Sequence, residues 1–170
     1  AHARMKVALP GGSGTGGGFV AADLLARGCR VRGLTRSGAV PPGVEPVTGD
    51  FTDPLAARAL VLGADLLVHA AFAHAPGRYR GGEGDDPCRF VAGNLHGSLA
   101  LVRLARRCGV GAAVVFSSRA VLDGCLPGRH DEETAPRPTT LYGRIKAALE
   151  AFVQAEGCDW HIAVLRPTGV

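Results

Sequence analysis

Six short apolar runs recur along the chain, at Lys6–Pro10, Arg30–Thr35, Val44–Thr48, Asp65–Ala71, Ala112–Ser117 and His161–Arg166. Each is too brief for a stable helix and of the length expected of a buried strand. Between them lie segments with helical spacing, Gly17–Arg27, Pro54–Leu62, Cys88–Cys108 and Thr140–Ala155, several of which stop at a glycine: Gly28, Gly63, Gly109 and Gly157. Strand and helix therefore alternate. Crossovers between parallel strands are right-handed and place helices on both faces, so the pattern predicts an α/β domain with a doubly wound parallel sheet. Any ligand crevice of such a sheet lies at the carboxyl ends of its strands.

The 170 residues suffice for one domain with a core. Ala1–Arg4 precede a start-like Met5 and read as a leader or remnant, which leaves residues 5–170 for the domain. No apolar run approaches the roughly 18 residues that span a bilayer, and no signal-like leader is visible, so a cytoplasmic location without membrane contact is expected. The formal charge of +4 comes almost wholly from arginines scattered singly, which gives no support to nucleic-acid binding. Five cysteines, Cys29, Cys88, Cys108, Cys125 and Cys158, are widely spaced without metal-ligand intervals. Reduced thiols and no metal site are expected. Two polar stretches, His74–Asp86 and Gly124–Pro138, break the alternation and read as loops over a site.

The first strand runs directly into GGSGTGG, Gly11 to Gly17, and then into an apolar helix ending LLARG at Leu24–Gly28. Gly11 permits the tight turn, Gly14 lets backbone approach a pyrophosphate, and Gly17 lets the helix pack closely on the strand. Phosphate would meet the open N–H groups at the helix start, so Gly11, Gly14, Thr15, Gly16 and Gly17 are the expected dinucleotide contacts. The alternative is a flexible glycine turn without ligand. Near the other end of the chain, Tyr142-Gly-Arg-Ile-Lys146 joins one of two tyrosines and one of two lysines at i,i+4 on a helix. That spacing puts both side chains on one face. A free phenol titrates near ~10, and a neighbouring ammonium favours its ionised form.

With glycines spaced GxxGxxG before the helix and Y-x-x-x-K late in the chain, the sequence resembles the extended short-chain dehydrogenase/reductase family, in its epimerase/dehydratase-like branch. The resemblance implies a Rossmann-like fold and an NAD(P) cofactor. The second strand ends at Thr35-Arg36, where an NAD-specific relative carries an acid; Arg36 is placed to meet a 2′-phosphate, which favours NADP over NAD, the alternative being a solvated arginine. Asp50 and Phe51 match the family's G-D element at the adenine, while Ala70 and Ala71 in LLVHAAFA match its V-x-H-x-A-A segment along the cofactor. His69 reads as a core histidine. Asn94 matches a helix asparagine near the cofactor, with helix packing as a comparable explanation. Ser118 falls where the family places its catalytic hydroxyl, Ser117 being the weaker choice and a strand cap the alternative role. Arg166-Pro167 matches an R-P segment beside the nicotinamide. The substrate-shaping C-terminal domain of the family is largely absent from these residues.

The resemblance implies reversible hydride transfer at a carbinol or carbonyl carbon of a small molecule, a nucleotide sugar among the options. Ser118, Tyr142 and Lys146 are the catalytic set, with Tyr142 and Lys146 also touching the cofactor. Dehydration is disfavoured, because Arg119-Ala120 stands where family dehydratases carry Asp-Glu. Arg78, Arg80 and Arg119 are available to a diphosphate. A homodimer through a four-helix contact of Cys88–Cys108 and Thr140–Ala155 is the expected assembly. Two other readings stay open: an NAD(P)-binding sensor without catalysis, and a folded fragment that lacks the rest of its enzyme.

Overall fold

A computed structural model of the chain describes residues 4–74, 82–156 and 159–168. Six strands, β1 (Lys6–Leu9), β2 (Arg30–Thr35), β3 (Glu45–Thr48), β4 (Leu66–His69), β5 (Ala112–Phe116) and β6 (His161–Leu165), form one parallel sheet in the order β3-β2-β1-β4-β5-β6. The predicted Rossmann-like architecture is what the chain adopts. Consecutive strands run outward from β1 in one direction and from β4 in the other, so the order reverses between β1 and β4, and a crevice opens there at the strands' carboxyl ends.

The sheet separates two cores. On one face Ala8, Leu67, Ala113 and Val115 of the strands meet Leu60 and Val61 of α2 (Pro54–Val61), Leu101 and Ala105 of α4 (Gly97–Arg107), and Leu149 and Val153 of α5 (Leu141–Glu156). On the other, Val7, Leu9, Val31 and Val68 pack against Ala21 of α1 (Thr15–Ala26) and its neighbours. Alternation along each strand sends neighbouring side chains to opposite faces, and both sets are apolar because helices cover both. Helix starts follow local chemistry: Asp53 caps α2 by accepting from the amides of Leu55 and Ala56, with Pro54 at the first helical position.

One expected helix is divided. In place of a continuous Cys88–Cys108 element the chain forms α3 (Pro87–Val91), a π turn (Ala92–His96) and then α4. The Ser98 hydroxyl donates to the Asn94 carbonyl within this wider turn, and the Asn94 side chain reaches the backbone of Ala73 after β4. Among the expectations drawn from sequence, Arg78 and Arg80, the Gly157 stop, Cys158 and most of the Ala1–Arg4 leader lie outside the described residues. Among the described residues no helix is long and apolar enough to cross a membrane.

Candidate active site

The glycine turn sits at the switch point. Gly11 has φ +89°, and a Cβ there would lie 2.5 Å from the Ala71 amide nitrogen, so the turn after β1 presses against the chain leaving β4. A Cβ on Gly17 would collide with the Gly11 carbonyl, which fixes how closely α1 begins beneath the turn. Gly14, the N-cap of α1, has no side chain to bond the amides that follow. Those first-turn N–H groups have no partner within the helix and are left for an anion. Just before that helix start, Gly11, Ser13 and Gly14 line one side of a cleft of about 800 Å³; Ala70 to His74 line another, and Arg36, Asp50, Phe51, Asn94 and the acids Glu83, Asp85 and Asp86 also belong to its wall. A helix start with no side-chain cap, beside a cleft of this size, fits the pyrophosphate of a dinucleotide.

The walls are held by short-range bonds. Thr52 donates through its amide and hydroxyl to Asp50 Oδ1 at 2.8 and 2.5 Å, which keeps the Asp50 carboxyl below its ordinary range. Both bonds fall on Oδ1. Asn94 accepts from the Ala73 amide at 2.7 Å and donates to the Ala73 carbonyl at 2.9 Å, so it clamps the segment after β4. Ser98 spends its single proton on the Asn94 carbonyl, so it must accept from His69 Nε2, 2.8 Å away. His69 is therefore the Nε2–H tautomer, its Nδ1 buried without a partner, and desolvation first and the Lys146 charge second lower its pKa to about 3. It is a core histidine.

α5 carries Tyr142 and Lys146 to this end of the sheet. The Lys146 ammonium donates to the Phe116 carbonyl at the end of β5 (2.7 Å), lies 4.7 Å from the Phe72 ring centre and 5.8 Å from that of Tyr142. Burial lowers its pKa to about 8, against which the charge of Glu150 works. Tyr142 packs edge-on against Phe72 at 4.8 Å and tilted against His74 at 5.5 Å. Phe72 and His74 both line the cleft, so the phenol stands behind its wall. Gly143 lets α5 lie close to the 3-10 turn Arg119–Leu122: a Cβ there would sit 2.7 Å from the Ala120 carbonyl.

Ser118 precedes that turn and its hydroxyl accepts from the Ala120 amide at 3.1 Å, while Pro167 accepts from the Arg119 amide at 3.2 Å. The capping role is thus present; the hydroxyl proton is still available to donate. Ser117 is buried, its Oγ unpartnered. The expected cofactor residues divide. Gly11, Gly14, Arg36, Asp50, Phe51, Ala70, Ala71 and Asn94 line the cleft; Ser118, Tyr142, Lys146, Gly16, Gly17, Arg166 and Pro167 do not, and the side chain of Thr15 is outside those described. Arg166 departs most from expectation, because its guanidinium makes two bonds to Glu150 and one to the Thr134 carbonyl. Two groups that sequence reasoning passed over, Phe72 and His74, stand between cleft and phenol. Aromatic side chains directly after the small Ala70-Ala71 pair were the available signal.

The sequence profile of the NAD dependent epimerase/dehydratase family matches residues 7–170. The chain belongs to this family. Among curated relatives, it is 31% identical over 180 residues to a 3 beta-hydroxysteroid dehydrogenase/Delta 5-->4-isomerase of Mycobacterium tuberculosis, covering 97% of this chain and 47% of the relative. It is also 31% identical over 172 residues to 4-hydroxy-2-methyl-3-oxo-4-farnesyl-3,4-dihydroquinoline-1-oxide ketoreductase of Stigmatella aurantiaca, over 96% of this chain and 49% of that one. The structure of Thermus thermophilus UDP-glucose 4-epimerase in complex with NAD superposes with a TM-score of 0.79 at 28% identity, over 95% of this chain and 54% of that one. The chain spans about half the length of the curated relatives it matches.

Proposed function

We propose that this epimerase/dehydratase-family domain binds a nicotinamide dinucleotide in the cleft below Gly11–Gly17 and moves a proton to or from a substrate oxygen through Tyr142. The observation that carries the reading is the pairing of Tyr142 and Lys146 one turn apart on α5, with Lys146 fastened to the end of β5 by the Phe116 carbonyl. When bound, the cofactor supplies the hydride donor or acceptor. Lys146 stabilises negative charge arising on the Tyr142 oxygen as its proton leaves, and its two remaining N–H donors are available to ribose hydroxyls. Ser118 donates to the substrate oxygen and holds it toward the phenol. The dehydrogenase and ketoreductase names of the curated relatives support oxidation and reduction at a carbinol or carbonyl carbon; the UDP-glucose 4-epimerase neighbour keeps a nucleotide sugar among the substrates.

In a protein that carries these 170 residues, Tyr142→Phe is expected to retain cofactor binding and lose turnover by about 10²–10⁴-fold. Fluorescence titration with reduced nicotinamides and a carbonyl panel measure the two quantities. Turnover near wild type would remove Tyr142 from the chemistry.

Arg36 lines the cleft after β2, and no acid stands at Thr35 or Arg36 to bind a ribose diol. This supports NADP over the NAD held by the structural neighbour. The expected outcome is tighter binding of NADPH than NADH, with Arg36→Ala losing about tenfold for NADPH alone; equal effects on both cofactors would count against a 2′-phosphate contact. A homodimer through α4 and α5 belongs to the same reading, supported by the family's common helical contact.

A further inference from the structure

Arg166 was expected beside the nicotinamide, and its engagement elsewhere is the observation that goes beyond the reading above. Its Nε and Nη2 bond the two oxygens of Glu150 at 3.0 and 2.8 Å, and Nη1 reaches the Thr134 carbonyl at 3.3 Å. The Glu150 side chain is only 4% exposed, so this is a bidentate pair with its acid out of water. Glu150 lies four residues after Lys146, which itself lies four after Tyr142; the three share one stripe of α5. A buried ion pair with no further task is weak evidence for stability, since an apolar replacement of similar volume often serves as well. Its placement on α5 one helical turn from a buried amine is therefore informative.

We propose that Glu150 and Arg166 form a positioning pair for Lys146: the carboxylate is the counter-charge that keeps the buried amine protonated, and the guanidinium fixes that carboxylate while tying the chain after β6 to the loop at Thr134. The surroundings of Lys146 contain no second anion among the described residues. From α5 it is faced by Glu150 and Tyr142, from β4 by His69, from the segment after β4 by Phe72 and His74, and from β5 by the Phe116 carbonyl. Both histidines are shifted toward the neutral form by burial and by Lys146 itself. Burial alone disfavours an ammonium, so without Glu150 the amine would release its proton closer to neutral pH. Arg166 keeps the pair neutral overall, and its two bonds to the two carboxylate oxygens leave Glu150 one orientation.

The proposal rests on Lys146 being the functional amine, yet its test needs no substrate. Lys6 and Lys146 are the two lysines of the chain, so labelling lysine with ¹³C at Cε gives two signals, and Lys146 can be titrated directly by NMR. In Glu150→Gln its midpoint is expected to fall by about one pH unit from the wild-type value. In Glu150→Gln/Arg166→Met the fall is smaller, because the unpaired guanidinium is gone too. This double variant buries no lone charge and decides the matter if the single one fails to fold, as judged by circular dichroism and a cooperative melt. An unchanged Lys146 midpoint in either folded variant overturns the proposal, even if the variant is less stable. In a protein with turnover, Glu150→Gln should also move the limb of the pH–rate profile that follows Lys146. A Lys146 shift together with an active Tyr142→Phe would leave the positioning pair standing and remove the hydride-transfer reading; the reverse result would do the opposite.

Discussion

Two buried ionisable side chains give this domain a pH dependence whose sign follows from their shifts. His69 titrates near 3 in the folded chain against 6.5 ordinarily, so between those values the unfolded chain binds a proton that the folded one refuses. Its contribution to stability is present above pH 6.5 and is lost as pH falls toward 3, with a slope of up to about 1.4 kcal/mol per unit. Lys146 is lowered from 10.5 to about 8, and here burial costs stability below pH 8, a cost relieved as pH rises toward 10.5. A shift of that size corresponds to roughly 3 kcal/mol. Lys146→Met is therefore expected to stabilise the domain at pH 7 by about 2–3 kcal/mol while abolishing activity, and to remove the gain in stability between pH 8 and 10.5. Urea unfolding at a series of pH values measures both effects; a Lys146→Met chain weaker than wild type at pH 7 would show that the Phe116 bond outweighs desolvation. His69→Gln should flatten the curve between about pH 6.5 and 4.

The glycine turn shows how one element assigns different work to residues of one type. Gly17→Ala forces its methyl into the Gly11 carbonyl and Gly11→Ala places one against Ala71 in a left-handed backbone, whereas a Cβ on Gly14 stays 3.4 Å from its nearest neighbour at φ −79°. Gly11→Ala and Gly17→Ala are expected to cost about 2–4 kcal/mol, and Gly14→Ala less than about 1 kcal/mol. Thermal melts rank the three, and a Gly14→Ala chain as damaged as Gly17→Ala would refute the geometry. The turn was legible in the sequence, because an apolar strand, spaced glycines and an apolar helix are each local patterns. The interruption of the Cys88–Cys108 helix was not. The turn coincides with a bond between Ser98 and the Asn94 carbonyl and with the docking of Asn94 on Ala73, and the second of these involves a partner 21 residues away. Phe72 and His74 escaped notice for a similar reason: only packing reveals that they meet Tyr142.

Across the whole molecule the two sheet faces are covered unequally. α2, α4 and α5 press on one face, and α1 covers the β1–β2 side of the other. The outer positions of β6, His161, Ala163 and Leu165, are consequently exposed, while Ile162 and Val164 pack inward. Leu60→Ala, at a fully buried position, is expected to cost about 2–5 kcal/mol, whereas Leu165→Ala should stay within about 1 kcal/mol in this chain. Chemical denaturation of both variants checks the contrast; a large cost at Leu165 would mean that this face is covered in solution. The alternation of apolar runs and glycine-stopped helices by itself determined the parallel sheet, the glycine turn and the one-turn spacing of Tyr142 and Lys146, because each rests on periodicity or on backbone sterics within a few residues. Only the tertiary structure decided that Arg166 holds Glu150 rather than lining the cleft, that Asn94 clamps Ala73, and that Phe72 stands between cleft and phenol. Those choices depend on which side chains the folded sheet brings within bonding distance, and a charge buried beside an opposite one binds there more strongly than it would face water.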